Sequence, residues 1–200
     1  MKLRDRKSNR IAAFCAVLLA VILLSCAGRI LVVDNAQSSD VAIVLDGGSD
    51  DVRTIGGLEL LRAGYTRELV LDAPARKLYG RLQSDYLHDY VEQLPADIRG
   101  HVHVCSFAGN STKLELLGDW DCLRAAVPGA SKMLLITSDY HTRRSLSIAR
   151  RLFPQVTWTA AAVSDPAFGV EWWRKREWAK TCLLEWQKLV WWQLFERWGK

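Results

Sequence analysis

Lys132-Met133-Leu134-Leu135-Ile136-Thr137 is apolar almost throughout and then breaks into Ser138-Asp139-Tyr140-His141-Thr142-Arg143-Arg144-Ser145, a polar turn opening a helix that reaches about residue 152. Side chains of a strand alternate between two faces, so an unbroken apolar run belongs to a strand buried on both, as in a parallel sheet covered by helices. The same unit recurs on either side. Residues 41–45 (Val-Ala-Ile-Val-Leu) end in Asp46-Gly47-Gly48-Ser49, residues 52–62 read as a helix closed by Gly64, and residues 68–72 as a second strand ahead of Pro74. Residues 78–94 then read as a helix ended by Pro95, 101–105 as a third strand, 112–126 as a helix and 156–159 as a short last strand. Parallel strands need crossovers, which the helices supply, so the expected fold is α/β, a three-layer Rossmann-like and mostly parallel sheet. Ligands of such sheets lie beyond the carboxyl ends of the strands, and the loops beginning at Asp46, Asp72, Cys105 and Thr137 are expected to share one cleft.

Residues 38–165 account for that domain, leaving an N-terminal segment of residues 1–33 and a C-terminal segment of residues 170–199. The first ten residues carry a net +4 of the chain's +5, which leaves +1 for all the rest. A nearly neutral body has no electrostatic footprint for nucleic acid. Behind the basic tail, residues 11–24 are uninterruptedly apolar and no charge appears before Arg29. Positive residues stay on the cytoplasmic side, so the expected partner is the lipid bilayer, and the location is the cell membrane with a single pass and the domain outside the cytoplasm. Leu23-Leu24-Ser25-Cys26 leaves a second route open, cleavage and lipidation at Cys26.

Five cysteines are too few for a disulfide scaffold and none of their spacings suits a metal, so no resident metal is expected. Cys105, Cys122 and Cys182 read as small buried hydrophobes, or the first two as a bridge in an oxidising compartment. Seven of the nine tryptophans fall between Trp172 and Trp198 in a proline-free stretch that reads as one long helix. Trp178, Cys182, Trp186, Leu189 and Trp192 or Gln193 form a stripe that can pack on the sheet, while tryptophan mixed with lysine and arginine also suits a bilayer surface.

The turn at residues 137–145 carries the chemical signal. Ser138 or Asp139 can cap the helix that follows, and its free N–H groups suit an anion. Arg143 and Arg144 stand where the helix dipole disfavours cations, so something negative should compensate them, either a local carboxylate such as Asp139 or a bound phosphate or carboxylate ligand. His141 adds a proton donor or acceptor to the same rim. Gly47 and Gly48 let backbone N–H groups approach a ligand, or simply make a tight turn. Asp46, Asp50 and Asp51 would repel phosphate unless a cation lay between them, and otherwise read as solvated carboxylates. Arg53 can reach the cleft or pair with Asp50 or Asp51.

Thr-Ser-x-Tyr-His-x-x-Arg at residues 137–144, after an apolar strand, resembles the hallmark of the bacterial family typified by YdcF, SanA and ElyC, a domain of unknown function. Residues 40–48 resemble the opening aspartate, strand and glycine-rich turn of that family, Arg53 stands at the place of its arginine, and Asn110-Ser111-Thr112 with Glu115 resembles its asparagine-threonine and later acidic motif. The unbroken glycine run, a serine-glycine turn after the second strand and a glutamate near the third are replaced here by Asp46, by Asp72-Ala73-Pro74 and by Cys105-Ser106-Phe107. The resemblance implies a site outside the cytoplasm and a role in envelope integrity, peptidoglycan or lipid-carrier metabolism; it names no cofactor. The expected site therefore has His141 and Asp46 as acid–base and water-orienting groups, with Gly47, Gly48, Arg53, Asn110, Thr112, Thr137, Ser138 and Arg144 around an anionic envelope ligand, either turned over or bound without reaction.

Overall fold

A computed structural model describes residues 2–49 and 51–198 of the chain. In chain order the elements are α1 (Lys2–Leu31), β1 (Ser39–Val44), α2 (Val52–Arg62), β2 (Thr66–Pro74), β3 (Lys77–Leu78), β4 (Arg81–Leu82), α3 (Gln83–Glu92), the single turn α4 (Ala96–Arg99), β5 (Val102–Phe107), α5 (Thr112–Ala126), β6 (Lys132–Ser138), α6 (Thr142–Leu152), β7 (Thr157–Val163) and α7 (Arg176–Trp191). The apolar runs form a five-stranded sheet in the order β5-β2-β1-β6-β7, and every neighbouring pair is parallel. Ile43 sits between Val70 and Leu135 at its centre.

Strand alternation separates two cores. Val41, Ile43, Met133 and Leu135 pack towards Leu116 and Leu123 of α5 and Leu146 and Ile148 of α6. Ala42, Val44, Leu134 and Ile136 pack towards Leu58 of α2 and Val91 of α3. Helices thus cover both faces, which is why the strands read as continuous apolar runs. The winding goes one way through β2 to β5 and the other way through β6 to β7, so the carboxyl ends of β1 and β6 flank the reversal point.

Three expectations change. The helix expected over residues 78–94 begins only at Gln83, because Tyr79 and Gly80 both take positive φ (51° and 83°) and turn β3 back onto β4 as a two-residue hairpin. Cys105 and Cys122 are joined, so the bridge is the realised reading for that pair, while Cys182 is buried and unpaired. The C-terminal segment is not one helix. A 3-10 turn (Trp172–Arg174) precedes α7, Lys175 between them is extended, and a π turn (Trp192–Glu196) follows. Its buried row is Cys182, Glu185, Leu189 and Trp192, whereas Trp178 and Trp186 are only half-buried.

Within α1, residues 12–31 are long and apolar enough to cross a membrane, and residues 12–24 stand exposed. The last two turns are docked. The indoles of Trp172 and Trp186 donate to the carbonyls of Leu24 and Ala27 (2.9 and 3.1 Å), Leu31 is buried with Phe168, Cys182 and Leu189, and a side chain at Gly28 would strike the Val170 carbonyl.

Candidate functional site

At the end of β1 the chain turns through Gly47 and Gly48, both at positive φ (96° and 89°). A Cβ at Gly48 would press on Arg53 Nε and Ser138 Oγ at 3.0 and 3.2 Å, so glycine is needed there for space as well as conformation. Arg53, from the first turn of α2, folds back under this turn and is buried. Its Nη1 donates to the carbonyls of Leu45 and Asp46 and its Nε to Ser138 Oγ at 2.8 Å. Ser138 in turn donates to Asp165 (2.7 Å), which also accepts the Ser49 N–H (3.2 Å). Burial alone would raise the Asp165 carboxyl, but these hydrogen bonds outweigh it and hold it low. Ser138 therefore ties the ends of β1 and β6 together. Thr137 is likewise fully buried.

The second half of the site is a buried ionic knot. His141 is in a 3-10 turn (Asp139–His141) and Arg144 in the first turn of α6, and both reach across to Glu185 of α7. His141 Nδ1 lies 2.9 Å from Glu185 Oε1; Arg144 donates to the same oxygen from Nε (2.6 Å) and to Oε2 from Nη2 (3.3 Å). On the other side Thr112, the first residue of α5, holds its hydroxyl 3.2 Å from His141 Nε2 and accepts from Arg144 Nη1 at 3.3 Å. Burial, aided by the positive charge of Arg144, pushes His141 down to about 4, so the ring is neutral at physiological pH. Burial opposes the charge of Glu185, yet the hydrogen bonds from His141 and Arg144 prevail and hold it at about 2. A carboxylate behind a neutral imidazole with a hydroxyl in front is the order of groups that activates a hydroxyl or a water.

Beneath the β1 turn, Asp72, Glu115 and Asp119 are buried together. Glu115 Oε1 accepts the Asp46 N–H at 2.7 Å and so fixes the turn. All three carboxyls are raised, chiefly by desolvation, with Asp119 reaching about 7, and burial disfavours three charges in one place.

These parts converge. Asp46, Arg53, Asn110, Thr112, His141 and Arg144 all border one open cleft of about 800 Å³ at the carboxyl ends of the strands. Gly47 and Gly48 open on an adjoining cavity of about 560 Å³, and Asp46 and Arg76 border both. The Asp46 side chain is on the rim, its carboxyl raised chiefly by partial desolvation, while Asn110 is exposed on the β5–α5 loop. Asp50 lies outside the described residues. The start of α6 is not open to a ligand: the Thr142 hydroxyl accepts the Val33 N–H (2.8 Å) and Arg143 donates to the Ile30 carbonyl, so the end of α1 covers it. Neither Ser138 nor Asp139 caps that helix; the Asp139 carboxylate accepts the Tyr140 N–H instead. The negative partner of Arg144 is Glu185, far along the chain.

Reading the sequence missed Glu185, Asp165 and three further cations on the cleft, Arg76, Lys113 and Lys188, none of which has an ion-pair partner among the described residues. Glu185 carried a signal, since it is three residues from Cys182 and four from Leu189 on the apolar row, where an acid must find a buried partner. The chain matches no protein-family model and no curated protein.

Proposed function

We propose that the chain is a membrane-tethered protein outside the cytoplasm whose Rossmann-like domain binds a phosphorylated ligand of envelope, peptidoglycan or lipid-carrier metabolism, as its resemblance to the YdcF, SanA and ElyC family implies, and hydrolyses or transfers it. One observation carries this reading: Arg53, Arg76, Lys113, Arg144 and Lys188 border the same cleft as the His141–Glu185 dyad. Guanidinium and ammonium groups converging on a crevice at strand ends suit phosphate oxygens, and cations with free donors are the ones that can bind. His141, held by Glu185, takes a proton from the Thr112 hydroxyl or from a water in its place, and Arg144 stabilises the charge that develops. Asp46 orients water at the rim. The Cys105–Cys122 bridge and the apolar α1 support a location in an oxidising compartment at a membrane.

The second reading is a binding or scaffold protein, and it has its own observation: both ring nitrogens of His141 already have partners within the protein. Phosphate release from undecaprenyl pyrophosphate separates the two. Turnover by the wild type is expected to fall about 100-fold or more in His141→Ala and Arg144→Ala with folding verified. Equal background rates in all three leave only the binding reading.

A further inference from the structure

We infer that the groove between α6 and α7, on the other side of α7 from the cleft, is a binding site for an anionic phospholipid of the leaflet that α1 enters. The inference rests on reading α1 as a membrane anchor. The groove, of about 800 Å³, is lined from α6 by Arg143, Arg150 and Arg151 and from α7 and the turn after it by Trp186, Val190, Leu194 and Arg197. The four guanidinium groups find only neutral acceptors: the carbonyls of Ile30, Trp158 and Arg197 and the side-chain oxygen of Gln193. No carboxylate among the described residues pairs with any of them. Four uncompensated arginines facing the half-buried Trp186 and the exposed Val190 and Leu194 match a molecule with an anionic head and an apolar tail.

The docking of α1 sets the depth. Twenty residues of α1, 12–31, at 1.5 Å each span about 30 Å, the thickness of a bilayer core, so residue 31 lies at its edge. Arg143, bonded to the Ile30 carbonyl, is then at the level of the phosphates. Trp172 and Trp186 are bonded to the carbonyls of Leu24 and Ala27, seven and four residues before residue 31, so along the helix axis their indoles lie about 10 and 6 Å on the core side of that edge, below Arg143 and on the side where an acyl chain would run. The exposed apolar part, residues 12–24, is too short to span alone, so the α7 side of the domain must meet the headgroups. Phosphate oxygens of the lipid would take the arginine donors, and an acyl chain would lie on Trp186, Val190 and Leu194.

The full chain, purified in detergent and equilibrated with mixed micelles holding equal amounts of phosphatidylglycerol and phosphatidylcholine of the same chains, is to be weighed by native mass spectrometry. Phosphatidylglycerol is expected to be retained about 5-fold or more over phosphatidylcholine. Arg143→Gln with Arg151→Gln should bring the ratio near one, and Arg143→Lys with Arg151→Lys should keep most of the preference. Arg62→Gln with Arg67→Gln, the same charge change on exposed sites elsewhere, should leave it intact. Equal retention of both lipids by the wild type overturns the proposal, as does an unchanged ratio in the glutamine pair. Excess inorganic phosphate that abolishes the preference makes this a free-anion site and overturns it as well; an unaffected ratio supports the lipid. Alkaline carbonate washing of membranes tests the anchor separately. Release would sink the anchor and this inference together, whereas a chain that resists the wash without preferring phosphatidylglycerol sinks this inference alone.

Discussion

Glu185→Ala is expected to lower the stability of the chain by about 3–5 kcal/mol, because it leaves Arg144 with an uncompensated charge in a site nearly closed to water. The side chains of Glu185 and Arg144 are 3% and 13% exposed, so solvent screening offers little relief. His141 cannot stand in for the carboxylate, since burial keeps it neutral and it would present no negative charge in any protonation state. For a chain of this length the loss corresponds to a fall in Tm of roughly 6–20 °C. Combining Glu185→Leu with Arg144→Met removes both charges and should recover much of the loss, which distinguishes an orphaned charge from lost packing. Chemical denaturation of the detergent-solubilised variants measures both; a single-variant loss below about 1 kcal/mol would mean that the pair behaves as a surface ion pair.

Breaking the Cys105–Cys122 bridge carries the second largest effect, about 3 kcal/mol from the loop entropy restored to the unfolded chain over a separation of 17 residues. The bond ties β5 to α5, the helix that presents Thr112 at its first residue and Glu115 one turn on. Reduction is therefore expected to lower Tm by roughly 6–12 °C. A Cys105→Ala and Cys122→Ala double variant should start at the lower Tm and show no further response to reductant. A wild type whose melting ignores reductant would contradict the structural role of the bridge.

The sheet was legible because burial on both faces leaves a local trace, as in residues 41–45 and 133–136, where every position is apolar and buried. Residues 78–82 were misread because the hairpin depends on positive φ at Tyr79, a residue with no particular preference for it, so composition favoured helix. Within the site, Arg53, Thr112, His141 and Arg144 share one cleft as expected, since topology alone sends the ends of β1, β5 and β6 to the same edge. Their partners were less legible. Glu185 meets His141 across 44 residues and Asp165 meets Ser138 across 27, and no local pattern encodes such pairings. The anion expected at the start of α6 is replaced by carbonyls of α1 for a similar reason: how α1 packs on the domain is a tertiary fact.

Whether the cleft at the carboxyl ends of the strands holds a phosphorylated anion, as proposed, is decided by calorimetric titration of the full chain in detergent with inorganic pyrophosphate. Arg76 and Lys113 border the cleft without supporting the buried knot, so Arg76→Ala with Lys113→Ala removes charge at little cost to the fold. One pyrophosphate per chain is predicted for the wild type, with affinity falling as salt rises and weakened about 10-fold or more in the double variant. No measurable binding, or equal affinity in both proteins, would contradict the account.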